Sequence, residues 1–228
     1  RRGRWGKAIE VPGLGALNKG GNARVYSVSC ASAGNCAAGG FYTDRSFNEQ
    51  GFVVSQRNGV WHRALEVPGL GALNKGVEAE VFSVSCASAG SCAAGGGYAD
   101  RHGTGQGFVA VERNGVWGRA IEVPGPGALN VGGGDGAVVN SVSCASAGNC
   151  SAGGGYTDRR GNGQGFVAVE RHGVWGKAIE VPGLGALNTG GGAAVLEVSC
   201  APAGGCAAGG YYTDHLGLNQ GFVVSQTG

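Results

Sequence analysis

Residues 27–44 read SVSCASAGNCAAGGFYTD, and nearly the same string returns three times: SVSCASAGSCAAGGGYAD at 83–100, SVSCASAGNCSAGGGYTD at 141–158 and EVSCAPAGGCAAGGYYTD at 197–214. Successive copies start 56 to 58 residues apart. Self-similarity at a fixed period of this size marks a repeat architecture, each copy being one supersecondary unit. Working outward, every copy is followed six residues after its Asp by Gln-Gly-Phe-Val. After the first three, Gly-Val-Trp comes next, at Trp61, Trp117 and Trp175, and leads into A-[IL]-E-V-P-G. The chain itself opens on that last element, from Trp5 to Pro12.

Each unit reads as four strands. In the first unit these are VYSVSC, with Tyr26, Val28 and Cys30 alternating against Val25, Ser27 and Ser29, then CAAGGFYT, QGFVVSQ and VWHRALEVP. Turn clusters separate them: ASAGN, DRSFNE and RNG. The Asn58-Gly59 and Asn114-Gly115 pairs suit tight hairpins. Pro12, Pro68, Pro124 and Pro182 end the fourth strand, where a missing N–H costs least. A Gly/Asn-rich link such as GLGALNKGGNA then leads to the next unit.

Repeated four-stranded meanders are the sequence form of propeller blades. The expected fold is all-β, a four-bladed β-propeller of antiparallel blades with one disulfide in each. The chain starts on a fourth strand and ends on strands one to three, so the N-terminal strand is expected to close the last blade. A larger ring completed by more chain or a second copy is the alternative. The expected organisation is one domain over residues 1–228, with repeats at about 5–60, 61–116, 117–174 and 175–228.

The eight cysteines form four pairs of identical spacing: Cys30/Cys36, Cys86/Cys92, Cys144/Cys150 and Cys200/Cys206. Each pair brackets a five-residue turn, so the thiols face one another across the first hairpin. A loop this short yields about 2 kcal/mol per disulfide in the chain-entropy picture. Such a staple also fixes the register of a glycine-rich hairpin that packs weakly by itself. Zinc would need four ligands at one point, and no His recurs beside these pairs. An even cysteine count in a repeating frame points to an oxidising, secreted or extracellular setting.

The composition fits these expectations. Glycine is abundant at 50 residues, charged residues are only 14%, and the net charge is +2, which argues against a nucleic-acid partner. A hydrophobic content of 42% supports a core. No apolar run approaches the roughly 18 residues of a membrane span. The lack of Met and the opening Arg1-Arg2-Gly3-Arg4 read as a processed chain.

The stretches ADRHGTGQGF (Ala99 to Phe108) and TDRRGNGQGF (Thr157 to Phe166) resemble the Asp-box turn of sialidase-type propellers, with Asp, Gly and a closing aromatic at longer spacing. The whole unit, V-S-C-x-S-x-G-x-C-x-A-G-G-x-Y-T-D, is similar to tandem repeats of secreted bacterial proteins that carry no assigned chemistry. The resemblance implies a propeller repeat and leaves function open, since propellers include lectins, adaptors, inhibitors and enzymes.

A catalytic site in a repeat protein should break the repeat. His62, His102, His172 and His215 occupy four unrelated slots and build neither a triad nor a metal site. Asp44, Asp100, Asp158 and Asp214 share one local sequence, so they read first as turn caps. Calcium at these loops would have one Asp and one Gln each, a thin ligand set, and no metal or cofactor is expected. A glycosidase needs two carboxylates in unlike environments, and sialidase chemistry, by resemblance, needs clustered arginines. Arg45, Arg101 and Arg159 instead recur with the repeat. Trp5, Trp61, Trp117, Trp175 and the Phe of each QGFV read as packing between blades.

Tyr42, Tyr98, Tyr156 and Tyr212 stand at the mouth of a variable loop, where exposure is expected. Beside them lie the Asp residues and Gln50, Gln106, Gln164 and Gln220. These twelve residues are the candidate ligand-binding set, four equivalent sites whose weak affinities would add through multivalency. The expectation is a non-enzymatic, lectin-like protein that binds carbohydrate or a cell-surface protein. The alternative is a structural or interaction module, or a secreted inhibitor. Differences between copies concentrate in two loops: DRSFNEQ, DRHGTGQ, DRRGNGQ and DHLGLNQ, and NKGGNARV, NKGVEAEV, NVGGGDGAVV and NTGGGAAV.

Overall fold

The computed structural model describes residues 3–125, 129–130, 136–202 and 204–226. Four antiparallel sheets follow one another along the chain. The first has long strands Ala23–Ser32, Asn35–Thr43 and Glu49–Arg57, plus two short pieces, Val60–Trp61 and Leu65–Glu66, that both pair with the third strand. The second repeats this with Ala79–Ser88, Ser91–Ala99, Gly105–Arg113, Val116–Trp117 and Ile121–Glu122. The third does so with Val138–Ser146, Asn149–Thr157, Gly163–Arg171, Val174–Trp175 and Ile179–Glu180. The fourth sheet has Ala193–Cys200, Cys206–Thr213 and Asn219–Ser225.

Local chemistry sets these elements. Cys30 lies directly opposite Cys36 in the first hairpin, and Cys86 opposite Cys92, Cys144 opposite Cys150 and Cys200 opposite Cys206 repeat this register. All four disulfides form. The hairpin after the third strand uses left-handed backbone at Asn58 and Gly59 (φ 49° and 83°), the combination a two-residue hairpin turn requires. His172 takes the Asn slot with φ 49°, a conformation His tolerates better than most residues.

The disulfides do more than staple a weakly packed turn, and the expectation is corrected at their second cysteines. Cys92 is buried in the hydrophobic core together with Val84, Ala94, Ala110 and Trp117, and Cys86 packs against the same cluster from its edge. Cys150 is buried in the next core in the same way, with Cys144 at its edge. The cause is position in the sheet. Cys92 stands on the second strand, opposite Glu112 of the third, so strands flank it on both sides, and the outer segment carrying Trp117 joins the same core. Cys206, in the sheet that lacks an outer segment, is only half-buried.

The expected fourth strand is broken. In the first unit the His62 N–H still donates to Ser55 of the third strand at 2.9 Å, but the Ala64 N–H donates instead to the carbonyl of Pro12 at 2.7 Å. Ala120 to Pro68 and Ala178 to Pro124 repeat this bond, also at 2.7 Å. The proline ending one unit is thereby tied to the next unit's outer strand. The link also holds a helical turn, Leu14–Leu17, Leu70–Leu73 and Leu184–Leu187, whose first leucine is buried.

Consecutive sheets meet through a repeated joint. The inner strand of one unit lays a valine pair over a glycine on the second strand of the unit before it. A β-carbon at Gly39 would lie 2.5 Å from Val81 Cγ1, and Gly95 against Val139 and Gly153 against Val195 give the same 2.5 Å. Only glycine permits sheets to approach this closely. Serine hydroxyls reinforce the joint: Ser27 and Ser29 accept the backbone N–H groups of Val84 and Cys86, both at 3.0 Å. Phe52, Phe108 and Phe166 are fully buried behind this seam, as expected of packing residues.

The four-bladed closed ring does not form. No strand pairing joins residues 5–12 to the fourth sheet, and Trp5 and Ile9 are exposed. Asn219–Ser225 is an open edge, and Val223 is 89% exposed where Val53 and Val109 are fully buried. At the other end Val25 and Val28 are 42% and 59% exposed, against 0% and 5% for Val81 and Val84. The architecture is therefore an open row of sheets and not a β-propeller whose last blade the N-terminal strand completes. Counting strands identifies which strand each sheet needs. Valine-on-glycine packing links consecutive sheets, and after three such joints no strand of the fourth sheet pairs with the first.

Candidate functional site

The Tyr–Asp–Gln loops are built as internal braces. Tyr42, Tyr98 and Tyr156 are buried, not exposed, and their hydroxyls donate to Glu66, Glu122 and Glu180 at 3.1, 2.9 and 3.0 Å. Burial, together with the adjacent carboxylate, pushes all three phenols well up. Tyr212 is only half-buried, because the fourth sheet lacks the strand that carries the matching glutamate.

The aspartates cap their turns. Asp44 Oδ1 accepts the N–H groups of Ser46 and Asn48 at 2.7 and 3.1 Å, and Oδ2 accepts from Gln50 at 3.2 Å. Slight desolvation works upward on this carboxyl, but the N–H donors of Asn48 and Ser46 outweigh it and hold it below the usual range. Asp100 and Asp158 behave alike, and at Asp214 the Leu218 N–H is the leading cause. The amide oxygens of Gln50, Gln106 and Gln164 each accept from the side-chain amide of an asparagine in the following link: Asn74, Asn130 and Asn188. Gln220 donates to Asp214 at 2.9 Å. The twelve residues thus come together as four separate triplets, one per sheet, with their polar atoms largely engaged.

The two variable loops converge elsewhere. Glu49, from DRSFNEQ, and Glu78 and Glu80, from NKGVEAEV, line one cleft of about 420 Å3 with Phe82, Gly97, Gly105 and Val138. A size difference from the first copy leaves room for the cleft, and the third copy shares it at Gly155. Phe41 fills its slot in the first sheet, whereas the equivalent residue in the second is Gly97, whose missing β-carbon would stand 3.3 Å from Val138 and 3.7 Å from Phe82. Gly105 likewise replaces Glu49.

Phe82 brings an aromatic ring to the lining. Tyr26 lies between Phe82 and Phe41 with ring centroids 5.8 and 5.6 Å away, and its hydroxyl donates to the lining residue Glu80 at 3.1 Å. Arg24 sits 5.9 Å over the Phe41 ring. Burial pushes the Glu80 carboxyl up; the Tyr26 hydroxyl opposes this and the charges of Glu49 and Glu78 add to it. The described lining holds no Lys, Arg or His. The arrangement offers hydrogen-bond acceptors beside an aromatic edge.

Sequence reasoning marked both loops as variable but not their convergence. The available signal was Gly97 opposite Phe41 and Glu80 opposite Arg24 when the copies are superposed. Among the described residues, no group of three His, Cys, Asp or Glu is placed to hold a metal ion, and no helix is long and apolar enough to cross a membrane.

No family model and no curated protein matches the chain. Solved structures do. A Hadza microbial sialidase, Hz136, aligns with a TM-score of 0.51 at 10% identity, over 89% of this chain and 44% of that one. A subtype N11 neuraminidase-like protein of A/flat-faced bat/Peru/033/2010 (H18N11) gives 0.45 at 14%, over 87% and 53%. Sucrose-6-phosphate hydrolase from Lactobacillus gasseri gives 0.42 at 12%, over 82% and 53%. The chain spans about half the length of the structures it matches. The sialidase likeness is one of fold, a succession of antiparallel sheets, at a distance that carries no activity with it.

Proposed function

We propose that this protein is a non-enzymatic carbohydrate-binding protein of an oxidising, extracellular setting, and that its sugar site is the acidic cleft. The observation that carries this reading is the meeting of Glu49, Glu78 and Glu80 beside Phe82 at the place where the repeat is broken. Sugars present hydroxyl donors on one face and C–H groups on another, which suits carboxylate acceptors next to an aromatic ring. Three carboxylates repel anionic sugars, so the ligand is a neutral or amino sugar and not a sialylated one. The four disulfides suit the setting. No general acid–nucleophile pair is assigned, and the histidines stand outside the cleft lining.

Calorimetry with neutral, amino and sialylated oligosaccharides tests this. The expected result is one site per chain, favouring neutral or amino sugars, lost in Gly97→Phe because the new ring fills the cleft. No heat with any sugar at millimolar concentration, or binding unchanged in Gly97→Phe, sinks the reading. Turnover of chromogenic glycosides abolished by Glu80→Gln would replace it with an enzymatic one.

A further inference from the structure

A hydroxyl that the other three units carry is replaced by a methyl group beside the cleft. Thr43, Thr157 and Thr213 end the second strand of their sheets, and Ala99 holds that place in the second sheet. In the first unit Thr43 Oγ1 accepts the Asn22 N–H at 2.9 Å. Its own proton faces two acceptors, Asn18 Oδ1 at 3.3 Å and the Asn22 carbonyl at 3.1 Å. The backbone around this point is shared by the second unit. Gly20 donates to the Thr43 carbonyl and Gly76 to that of Ala99, both at 2.9 Å. The Thr43 and Ala99 N–H groups donate to the carbonyls of Asn22 and Glu78 at 2.8 and 2.7 Å.

The loss of the hydroxyl shows on Asn74, the counterpart of Asn18. Asn74 is only 7% exposed. Its amide nitrogen donates to the Glu49 carbonyl at 3.0 Å and to Gln50 Oε1 at 3.2 Å. The other end of the amide is the one that Asn18 turns to Thr43, so in the second unit it faces Ala99. There Asn74 Oδ1 is buried and has no hydrogen-bond partner among the described residues. The Glu78 N–H, counterpart of the Asn22 donor, has no hydroxyl to meet at Ala99 either. Asn188 Oδ1 also has no partner among the described residues, but in that unit the hydroxyl exists and Thr213 Oγ1 donates to Asn219 Oδ1 at 3.0 Å. Glu49, Glu78 and Ala99 all line the acidic cleft, so the unmet acceptor and donor converge on its wall.

We infer, on the sugar-binding reading of the cleft, that this point is a hydroxyl subsite and takes the primary hydroxyl of a hexose. The sugar oxygen accepts the Glu78 N–H and its proton goes to Asn74 Oδ1, as Thr43 Oγ1 does for its own neighbours. Both roles are required, and a carboxylate has no proton to donate. The place is also narrow. A β-carbon at Gly76 would lie 2.6 Å from that of Ala99. A hydroxyl on a one-carbon arm reaches in where a sugar ring is too wide, which selects CH2OH over the ring hydroxyls. A site that hydrogen-bonds a substrate hydroxyl rejects the analogue lacking it, because its buried polar groups are then left unpaired.

Calorimetry on the intact chain tests this with the methyl glycosides of glucose, galactose and mannose and their 6-deoxy counterparts. The hexose that binds is expected to lose affinity about tenfold or more without its 6-hydroxyl. Ala99→Thr supplies the protein's own hydroxyl, and is expected to bring that hexose down to the level of its 6-deoxy form. A second readout needs no sugar. Ala99→Thr is expected to melt about 3 °C above Ala99→Val, which has the same shape without the hydroxyl. Equal affinity for the hexose and its 6-deoxy form overturns the subsite and leaves the cleft a sugar site. The absence of a melting difference between the Thr and Val variants overturns the subsite whatever sugars bind. No binding of any sugar takes down the cleft reading and the subsite together.

Discussion

The joint between the first and second sheets and the joint between the second and third use the same parts, yet the buried tryptophan finds a hydrogen-bond partner at only one of them. At the first, Ser55 is the hinge of a small network: its hydroxyl donates to Glu112 at 2.7 Å and accepts the Trp117 indole N–H at 3.0 Å. At the second, the equivalent residue is Val111. There Glu170 Oε2 and Trp175 Nε1 are buried and have no hydrogen-bond partner among the described residues. Each joint also has one long arginine contact, Arg57 to Glu112 at 3.5 Å and Arg113 to Glu170 at 3.4 Å. A single hydroxyl therefore separates a joint whose tryptophan and glutamate are bridged from one where they are not. An unpaired buried polar group costs more than a paired one contributes, so the difference falls on the second joint.

The largest expected effect comes from copying the second joint into the first. Ser55→Val leaves Trp117 unpaired and Glu112 held only by the exposed Arg57, and is expected to destabilise by about 3 kcal/mol in denaturant unfolding. A loss no larger than that of an exposed control such as Val60→Ala would show that the network contributes nothing. The reverse change, Val111→Ser, gives Glu170 a donor and Trp175 an acceptor, with an expected gain of about 1 kcal/mol in the same measurement.

The third effect is one of pH. Burial raises the Glu170 carboxyl, and the Arg113 guanidinium only partly opposes this. A carboxyl raised on folding contributes stability that is fully present below its unfolded value, about 4.3, and is lost as pH rises through the folded value. Glu170→Gln, which installs the residue found at Gln56 and Gln226, is expected to flatten that slope in urea midpoints taken across mildly acidic pH. An unchanged slope would place the titration elsewhere. The smallest effect is expected from Arg113→Ala, about 0.5 kcal/mol by thermal unfolding, because that side chain is largely exposed.

Much of the fold is legible residue by residue, for reasons that are local. Cys30 and Cys36 must face each other across a five-residue turn, Asn58-Gly59 must turn tightly, and Asp44 must cap the loop that follows it. These outcomes depend on neighbours in the chain. That Cys92 ends up inside the core does not, because its burial needs the third strand and Trp117, far along the sequence. The open ends depend instead on how sheet packs on sheet at Gly39, Gly95 and Gly153, a property of two surfaces that no single unit reveals. The break in the outer strand likewise depends on Pro12, which belongs to the preceding unit and takes the Ala64 N–H. The cleft was hidden for a related reason. Glu49 and Glu80 are 31 positions apart, and only the packing of the sheets, with Gly97 in place of an aromatic ring, joins them into one lining.

The valine-on-glycine seam has a consequence for how such a gene changes. The valine pair and the glycine of the seam are carried by all four units, so removing or adding one whole repeat leaves the flanking units with the same valine-on-glycine contact. Copy number can therefore drift under selection for reach or valency, while the residues of the seam itself stay under constant constraint.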